Sequence, residues 1–155
     1  MLSRLVVPLL CASALAFAYG PLSSHQRETE PPGSPHAAVD SSGQDVVASL
    51  DVRIGDKVEV ALNVDNAADR RVELTFPSGQ THDVVVLDAA GREVWRWSAG
   101  RLFTRTVQTK LLGAGERVTY GERWAPGALR GTYTLVATLH SGNYPVELRQ
   151  GITLP

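Results

Sequence analysis

Ser78, His82 and Asp83 are the residues of this chain whose types and closeness could support chemistry. A hydroxyl, an imidazole and a carboxylate are the parts of a hydrolytic triad. However, neighbouring strand residues point to opposite faces, so His82 and Asp83 cannot readily pair as base and orienting carboxylate. The GxSxG turn that presents a nucleophilic serine is also missing from the sequence. We therefore expect no triad, and we interpret His82, like His140, as a surface strand residue.

Other signals of chemistry are equally weak. The four histidines, His25, His36, His82 and His140, show no metal-ligand spacing, and no glycine-rich phosphate loop precedes a helix. The only cysteine is Cys11, in the N-terminal apolar run, so a processed chain would have no disulfide, thiolate metal site or cysteine nucleophile. We expect no enzyme activity, no cofactor and no metal. The formal charge of −1 argues against a nucleic-acid partner.

Two tryptophans, Trp95 and Trp97, share one face of a predicted strand close to several arginines. The arginines are Arg92, Arg96 and Arg101. One interpretation is that the indoles fill a core face while the arginine side chains cover its edge. The other is an exposed cation–π surface. We favour the core interpretation.

The N-terminal part of the chain divides into two segments. The apolar run Leu5–Ala18 ends in a small-x-small pattern, which predicts a signal peptide over residues 1–18. An uncleaved membrane anchor and lipidation at Cys11 remain alternatives. Residues 19–44 are proline-rich without apolar periodicity, which predicts a disordered linker. We expect an exported protein (periplasmic, cell-envelope or secreted) that contacts a membrane only if the signal segment is retained.

Residues 45–155 are predicted to form one all-β domain. Apolar and polar residues alternate with a period of two, and glycine, proline and asparagine turns separate the runs. This pattern is typical of an immunoglobulin- or fibronectin-like antiparallel β-sandwich of about eight or nine strands. The expected strands are 46–54, 58–64, 72–76, 82–87, 93–97, 103–111, 117–124, 132–140 and 146–154.

Two details concern the arrangement of the sandwich. The stretch Leu129–Tyr133 is similar to a tyrosine corner, in which the tyrosine hydroxyl bonds back to an upstream backbone group. Strict alternation of strand direction would also divide the loops between two ends. One end would hold loops 77–81, 99–102 and 125–131, and the other would hold loops 66–69, 88–91, 113–115 and 141–145.

Several motifs carry a family resemblance. They are Asn66-Ala67-Ala68-Asp69, the aromatic-Pro-Ser-Gly-Gln-x-x-Asp element in LTFPSGQTHDVVV, the Trp-x-Trp-Ser-x-Gly-x-x-Phe element in DAAGREVWRWSAGRLF, the Gly115-Glu116 turn and GTYTLVATL. With these motifs the chain resembles the intracellular proteinase inhibitor family (the BsuPI-like domain). The resemblance implies a small all-β domain named for inhibition of serine proteinases, and it specifies no reactive bond. Such motifs look like fold determinants, and we expect Asp83 to accept hydrogen bonds from a neighbouring turn.

Two functions remain open from the sequence. A proteinase inhibitor would fill a serine protease cleft with an exposed loop or edge strand, because proteases bind substrate in extended form. The candidate residues are Ser78, Gly79 and Gln80 in one loop and Gly100, Arg101 and Leu102 in another. Arg101 would suit a trypsin-like pocket and Leu102 a subtilisin-like one. The alternative is a non-catalytic binding or accessory domain whose partner is another cell-envelope protein.

Overall fold

The computed structural model describes residues 44–155, and all of the regular structure in this part of the chain is β-strand. In chain order the strands are β1 Val46–Ile54, β2 Val58–Asn66, β3 Val72–Phe76, β4 His82–Leu87, β5 Glu93–Arg96, β6 Gln108–Leu112, β7 Arg117–Trp124, β8 Gly131–Leu139 and β9 Val146–Leu154. The predicted signal peptide and all but the last residue of the predicted linker lie outside the described residues. Within residues 44–155, no helix is long and apolar enough to cross a membrane.

The strands pair antiparallel into three sheets. Their orders are β1-β2-β7, β5-β4-β8-β9 and β3-β6. Buried apolar residues from these sheets form one hydrophobic cluster, so the architecture is a β-sandwich with a shared core. This confirms the predicted all-β fold. The immunoglobulin- or fibronectin-like subtype stays a prediction.

The period-two pattern is realised clearly in β1 and β2. Ala48 and Leu50 point inward and pair in register with Val64 and Leu62 of β2. Leu50 and Leu62 are fully buried, and each such side chain contributes about 1.5–3 kcal/mol through the hydrophobic effect. A shift of one residue in this register would turn the apolar set toward solvent, so the sequence pattern specifies the pairing.

The end of β2 is fixed by the buried side chain of Asn66. Its amide nitrogen donates to the carbonyl oxygens of Leu112 and Gly113 at 3.1 and 2.8 Å. The same nitrogen lies 2.8 Å from the carbonyl oxygen of Arg70, and the amide oxygen accepts from the N–H of Ala68 at 3.0 Å. Asn66 therefore joins the β2–β3 turn to the end of β6.

Strand β6 begins later than the alternation predicts. We expected a strand over 103–111, whereas the structure has one only over Gln108–Leu112. The carbonyl oxygen of Thr104 accepts a hydrogen bond from the N–H of Gly79 at 2.9 Å. The chain before β6 is therefore held against the loop between β3 and β4 instead of pairing as a strand.

The predicted division of the loops between two ends is correct for loops 77–81 and 99–102, because β4 and β5 pair antiparallel, but it is wrong for the loops that flank β8. Strict alternation would make β4 and β8 parallel, but they pair antiparallel along the whole of β4. Loops 77–81 and 141–145, which we predicted at opposite ends, therefore lie at the same end of this sheet. Loops 88–91 and 125–131, also predicted to be apart, lie together at its other end. Alternation fails because consecutive strands in different sheets need not reverse direction.

The predicted backbone contact of the tyrosine corner is present. The hydroxyl group of Tyr133, near the start of β8, donates to the carbonyl oxygen of Arg130 at 3.0 Å. This bond ties the start of β8 to the turn that precedes it. The hydroxyl of Tyr120 provides a contrast, because it is buried without a hydrogen-bond partner among residues 44–155.

Replacing the corner tyrosine should therefore weaken the fold measurably. We expect Tyr133→Phe to lower the free energy of unfolding by about 1 kcal/mol, the net value of one such hydrogen bond. Urea denaturation followed by tryptophan fluorescence would measure the change. Tyr120→Phe is the matched control and should cost nothing, since it removes a hydroxyl that has no partner. Equal destabilisation by both substitutions would refute the role of the corner bond.

Candidate binding loop

The connection between β5 and β6 carries the most exposed large apolar side chain of the described residues. Leu102 is 100% exposed. The turn before it is closed by a hydrogen bond from the N–H of Arg101 to the carbonyl oxygen of Ser98 at 3.1 Å. Gly100 has a φ of 74°, a left-handed conformation that glycine adopts without a steric penalty. The chain thus enters Leu102 from a defined turn.

Both chain neighbours of Leu102 contact the same indole ring, that of Trp97. The guanidinium carbon of Arg101 lies 4.5 Å from the ring centroid, and the ring of Phe103 lies 5.6 Å from it, centroid to centroid. The Nε of Arg101 also donates to the carbonyl oxygen of Trp97 at 2.8 Å. Leu102 therefore projects into solvent between two residues that are held.

Trp97 is itself fixed to the sandwich. Its backbone N–H donates to the carbonyl oxygen of Val84 in β4 at 2.9 Å, and its indole stacks on the ring of His82 at 4.3 Å. Trp95 stacks on Trp124 at 5.4 Å, and both Trp95 and Trp97 are half-buried against the core. The core interpretation of the tryptophan pair is confirmed to this extent. The cation–π contact that we set against it is also present, at Trp97.

The loop between β3 and β4 supports the exposed loop. A side-chain carbon at Gly79 would lie 2.6 Å from the hydroxyl oxygen of Thr104 and 3.3 Å from its backbone nitrogen, so a larger residue here would force Thr104 to shift. The glycine thus allows the close approach at which its N–H donates to the Thr104 carbonyl oxygen. Ser78 accepts from the N–H of Gln80 through its hydroxyl oxygen at 3.2 Å. Ser78, Gly79 and Gln80 are all half-buried, which makes this loop a support and not a projection.

Asp83 fastens the turn from the core side, as predicted. It is 3% exposed and accepts hydrogen bonds from the N–H and the hydroxyl of Ser98 at 3.2 and 2.8 Å. It also accepts from the guanidinium of Arg96 at 2.6 Å and from the N–H of Val84 at 2.9 Å. Hydrogen bonds to Glu93 and Asp83 raise the pKa of Arg96 above its ordinary value, so the guanidinium remains charged at any physiological pH.

The interpretation of His82 as a surface residue is wrong. Its side chain is buried, with Nε2 3.0 Å from a carboxylate oxygen of Glu122 and Nδ1 3.1 Å from the hydroxyl oxygen of Thr81. The ring lies against Trp97 at 4.3 Å and Tyr120 at 4.8 Å. Glu122 is 40 positions away in the chain, so no local pattern could have shown the pair.

The three residues that suggested a triad do not form one. His82 turns to Glu122, whereas Asp83 turns to Ser98, and the hydroxyl of Ser78 caps its own turn. In the part of the chain that the structure describes, no group of three or more His, Cys, Asp or Glu residues could hold a metal ion.

The structure brings the two predicted candidate loops together. Leu102 is the residue that projects, and the Gly79–Thr104 contact joins the two loops. Sequence reasoning missed the roles of Trp97, Phe103 and Thr104. The one signal that could have shown them is the spacing of the Trp-x-Trp-Ser-x-Gly-x-x-Phe element, whose aromatic residues meet across the turn.

A family model described as intracellular proteinase inhibitor, BsuPI, matches residues 46–144. The match covers well over half of the chain, from the first residue of β1 to the loop before β9. The chain belongs to this family. Membership confirms the resemblance drawn from the sequence motifs, and it indicates a domain of the inhibitor class with a protease as the class of partner.

Several solved structures are similar to the chain, with low sequence identities and low TM-scores. A β-glucosidase, EmGH1, from Erythrobacter marinus is 20% identical with a TM-score of 0.37, over 70% of this chain and 16% of that one. A putative ApaA protein from Bordetella pertussis is 18% identical with a TM-score of 0.41, over 72% of this chain and 94% of that one. The yjhA protein from Bacillus subtilis is 15% identical with a TM-score of 0.36, over 70% of this chain and 91% of that one. No curated protein sequence matches the chain. At these TM-scores, the structural similarities carry no argument about function.

The buried histidine at the base of the loop predicts a pH-dependent stability. Burial lowers the pKa of His82 below its ordinary value of 6.5, against the raising effect of the Glu122 carboxylate. The unfolded chain therefore binds a proton more readily than the folded domain does. This contribution to stability is fully present above about pH 6.5 and is lost as the pH falls below it, with a slope of at most about 1.4 kcal/mol per pH unit.

Urea denaturation at several pH values between about 5 and 7.5 would measure this effect. We expect His82→Gln to flatten the pH profile of the unfolding free energy in this range. His140→Gln is the control, since His140 follows the end of β8 and has the smallest of the effects that act on the pKa of His82. A profile that is unchanged by His82→Gln, or that is flattened equally by His140→Gln, would contradict the assignment.

Proposed function

We propose that this domain inhibits a serine protease by placing the loop Gly100–Thr104 in the substrate cleft, with Leu102 in the primary specificity pocket. The observation that carries the proposal is the full exposure of Leu102 between two held neighbours. A protease cleft binds an extended segment with one side chain inserted. A loop that is already ordered in the free inhibitor loses less entropy when it binds.

The choice between Arg101 and Leu102 follows from what each side chain touches. The Arg101 guanidinium lies over the Trp97 ring, and its Nε donates to a carbonyl oxygen. To enter a trypsin-like pocket it would have to give up both contacts. Leu102 has no such contacts to lose, because it is fully exposed. The loop therefore suits proteases with an apolar primary pocket, such as subtilisin-like enzymes.

The same arrangement argues for the exposed loop over the Ser78–Gln80 loop as the contact surface. The Ser78–Gln80 loop is half-buried, and its Gly79 N–H bonds to the carbonyl oxygen of Thr104. Its role in the proposal is to keep the exposed loop at a fixed position, so changes there would act indirectly.

We further propose that the domain acts outside the cytoplasm. The support is the apolar run Leu5–Ala18 with its small-x-small end and the proline-rich segment that follows. The family is described as intracellular. An exported member would differ from that description and would act on an envelope or extracellular protease.

Inhibition assays with the chain from Tyr19 onward test the proposed loop, since this chain contains every strand of the fold. We expect inhibition of a subtilisin-like protease and much weaker inhibition of a trypsin-like one. Leu102→Ala should raise the inhibition constant roughly 30-fold, because it withdraws about 2 kcal/mol of apolar burial from the pocket. The fold should be unaffected, since the side chain touches solvent only.

Gln80→Ala is the control variant, because Gln80 lies in the supporting loop and leaves the Gly79–Thr104 backbone contact unchanged. It should inhibit as the unmodified chain does. A Leu102→Ala variant that inhibits at full strength would rule out Leu102 as the inserted residue. No inhibition by the unmodified chain, at micromolar concentration against either enzyme, would overturn the proposed function itself.

A further inference from the structure

The half-buried ring of Trp97 contacts residues on both sides of the Leu102–Phe103 peptide bond. Arg101, before the bond, lies over the Trp97 indole at 4.5 Å, and Phe103, after it, packs on that indole at 5.6 Å. A contact on one side alone would order the loop. Contacts on both sides do more, because they would persist if the bond between them were broken.

Each side of the bond also has an anchor in the backbone. Before it, the N–H of Arg101 donates to the carbonyl oxygen of Ser98 at 3.1 Å. After it, the carbonyl oxygen of Thr104 accepts from the N–H of Gly79 at 2.9 Å. Neither hydrogen bond crosses the bond between residues 102 and 103, so a cut there would leave both in place.

The holding ring is fixed to the core independently of the loop. The backbone N–H of Trp97 donates to the Val84 carbonyl oxygen, and the Trp97 ring stacks on His82, which is itself bonded to Glu122. The two ends of a cut loop would therefore be held against a ring that is anchored to β4.

We infer that Leu102–Phe103 is a reactive bond that the target protease cuts and re-forms, with the Trp97 ring keeping both ends in position. This inference rests on the proposed function. The protease hydroxyl attacks the carbonyl carbon of Leu102, the acyl–enzyme ester forms, and the amine of Phe103 leaves with the proton that the catalytic histidine returns. Hydrolysis of the ester would add one water molecule and yield a carboxylate and an ammonium group.

The held amine competes with that water. Because Phe103 remains against Trp97, its amine stays near the ester and can attack it, which re-forms the peptide bond and returns the enzyme hydroxyl. An intramolecular nucleophile at fixed distance reacts at a very high effective concentration. Resynthesis and retention of the loop explain how a substrate-like segment could inhibit without being consumed.

The test compares two tryptophan variants. Trp97→Leu removes the ring that holds both ends, and Trp95→Leu is the matched control. Trp95 is equally half-buried two residues away, but its ring stacks on Trp124 of β7 and not on a loop residue. Each protein is incubated with a subtilisin-like protease, and both residual inhibition and the intact mass are followed over time.

We expect Trp97→Leu to inhibit at first and then to lose inhibition about tenfold faster than Trp95→Leu or the unmodified chain, since stacking and cation–π contacts of this strength are withdrawn. The loss of inhibition should coincide with cleavage of the chain between residues 102 and 103. If the unmodified chain is cut there and its inhibition decays as fast as that of the Trp97 variant, the inference is wrong. Inhibition by all three proteins with no cleavage at this bond after prolonged incubation would also overturn it.

A second measurement starts from the unmodified chain cut at Leu102–Phe103. The core alone would keep the two halves associated, because strands on both sides of the bond pair with each other. The informative readout is therefore chemical: adding catalytic amounts of protease should regenerate intact chain, detected by the loss of one water from the mass. A cut chain that is never rejoined would contradict the inference. Failure of every protein to inhibit would instead reject the proposed function on which it rests.

Discussion

The stacked contact between the rings of His82 and Trp97, with centroids 4.3 Å apart, joins the core of this domain to its exposed loop. His82 belongs to β4 and is bonded to Glu122 of β7, so the pair connects two sheets. Trp97 in turn holds Arg101 and Phe103. An aromatic contact of this kind adds only about 0.5–1.5 kcal/mol beyond area burial. Its importance here lies in position, because Trp97 is the residue that both neighbours of Leu102 contact.

That position is maintained against unfavourable local energetics. An imidazole is buried beside a carboxylate, and the Trp97 indole N–H and the Tyr120 hydroxyl have no partner among residues 44–155. Each buried group without a hydrogen bond costs about 1–3 kcal/mol. A Leu or Val cluster would be a more stable way to close this end of a core. Proteins tend to keep such destabilising groups where they position a functional residue. The residue positioned here is Leu102.

The sequence predicted the strands well and the side-chain network poorly, for a definable reason. Strand positions follow from a local period of two, and the tyrosine corner follows from a short motif, so both could be recognised. The partner of His82 is 40 positions away, and nothing near either residue indicates the pairing. The alternation of loop ends failed in the same way, since it depends on which strands share a sheet. Asn66 is another case: its four partners lie partly in its own turn and partly at the end of β6.

The exposed loop shows how a tertiary contact overrides a local pattern. Residues 103–107 belong to the strand that we predicted over 103–111, yet β6 starts only at Gln108. The Phe103 ring packs on Trp97, and the Thr104 carbonyl oxygen accepts from the N–H of Gly79 in the loop that follows β3, so this segment contacts a loop and a side chain instead of a strand. The same contacts distinguish two neighbouring residues that the sequence left as equal candidates. The Arg101 side chain lies over the Trp97 ring, whereas the Leu102 side chain is fully exposed.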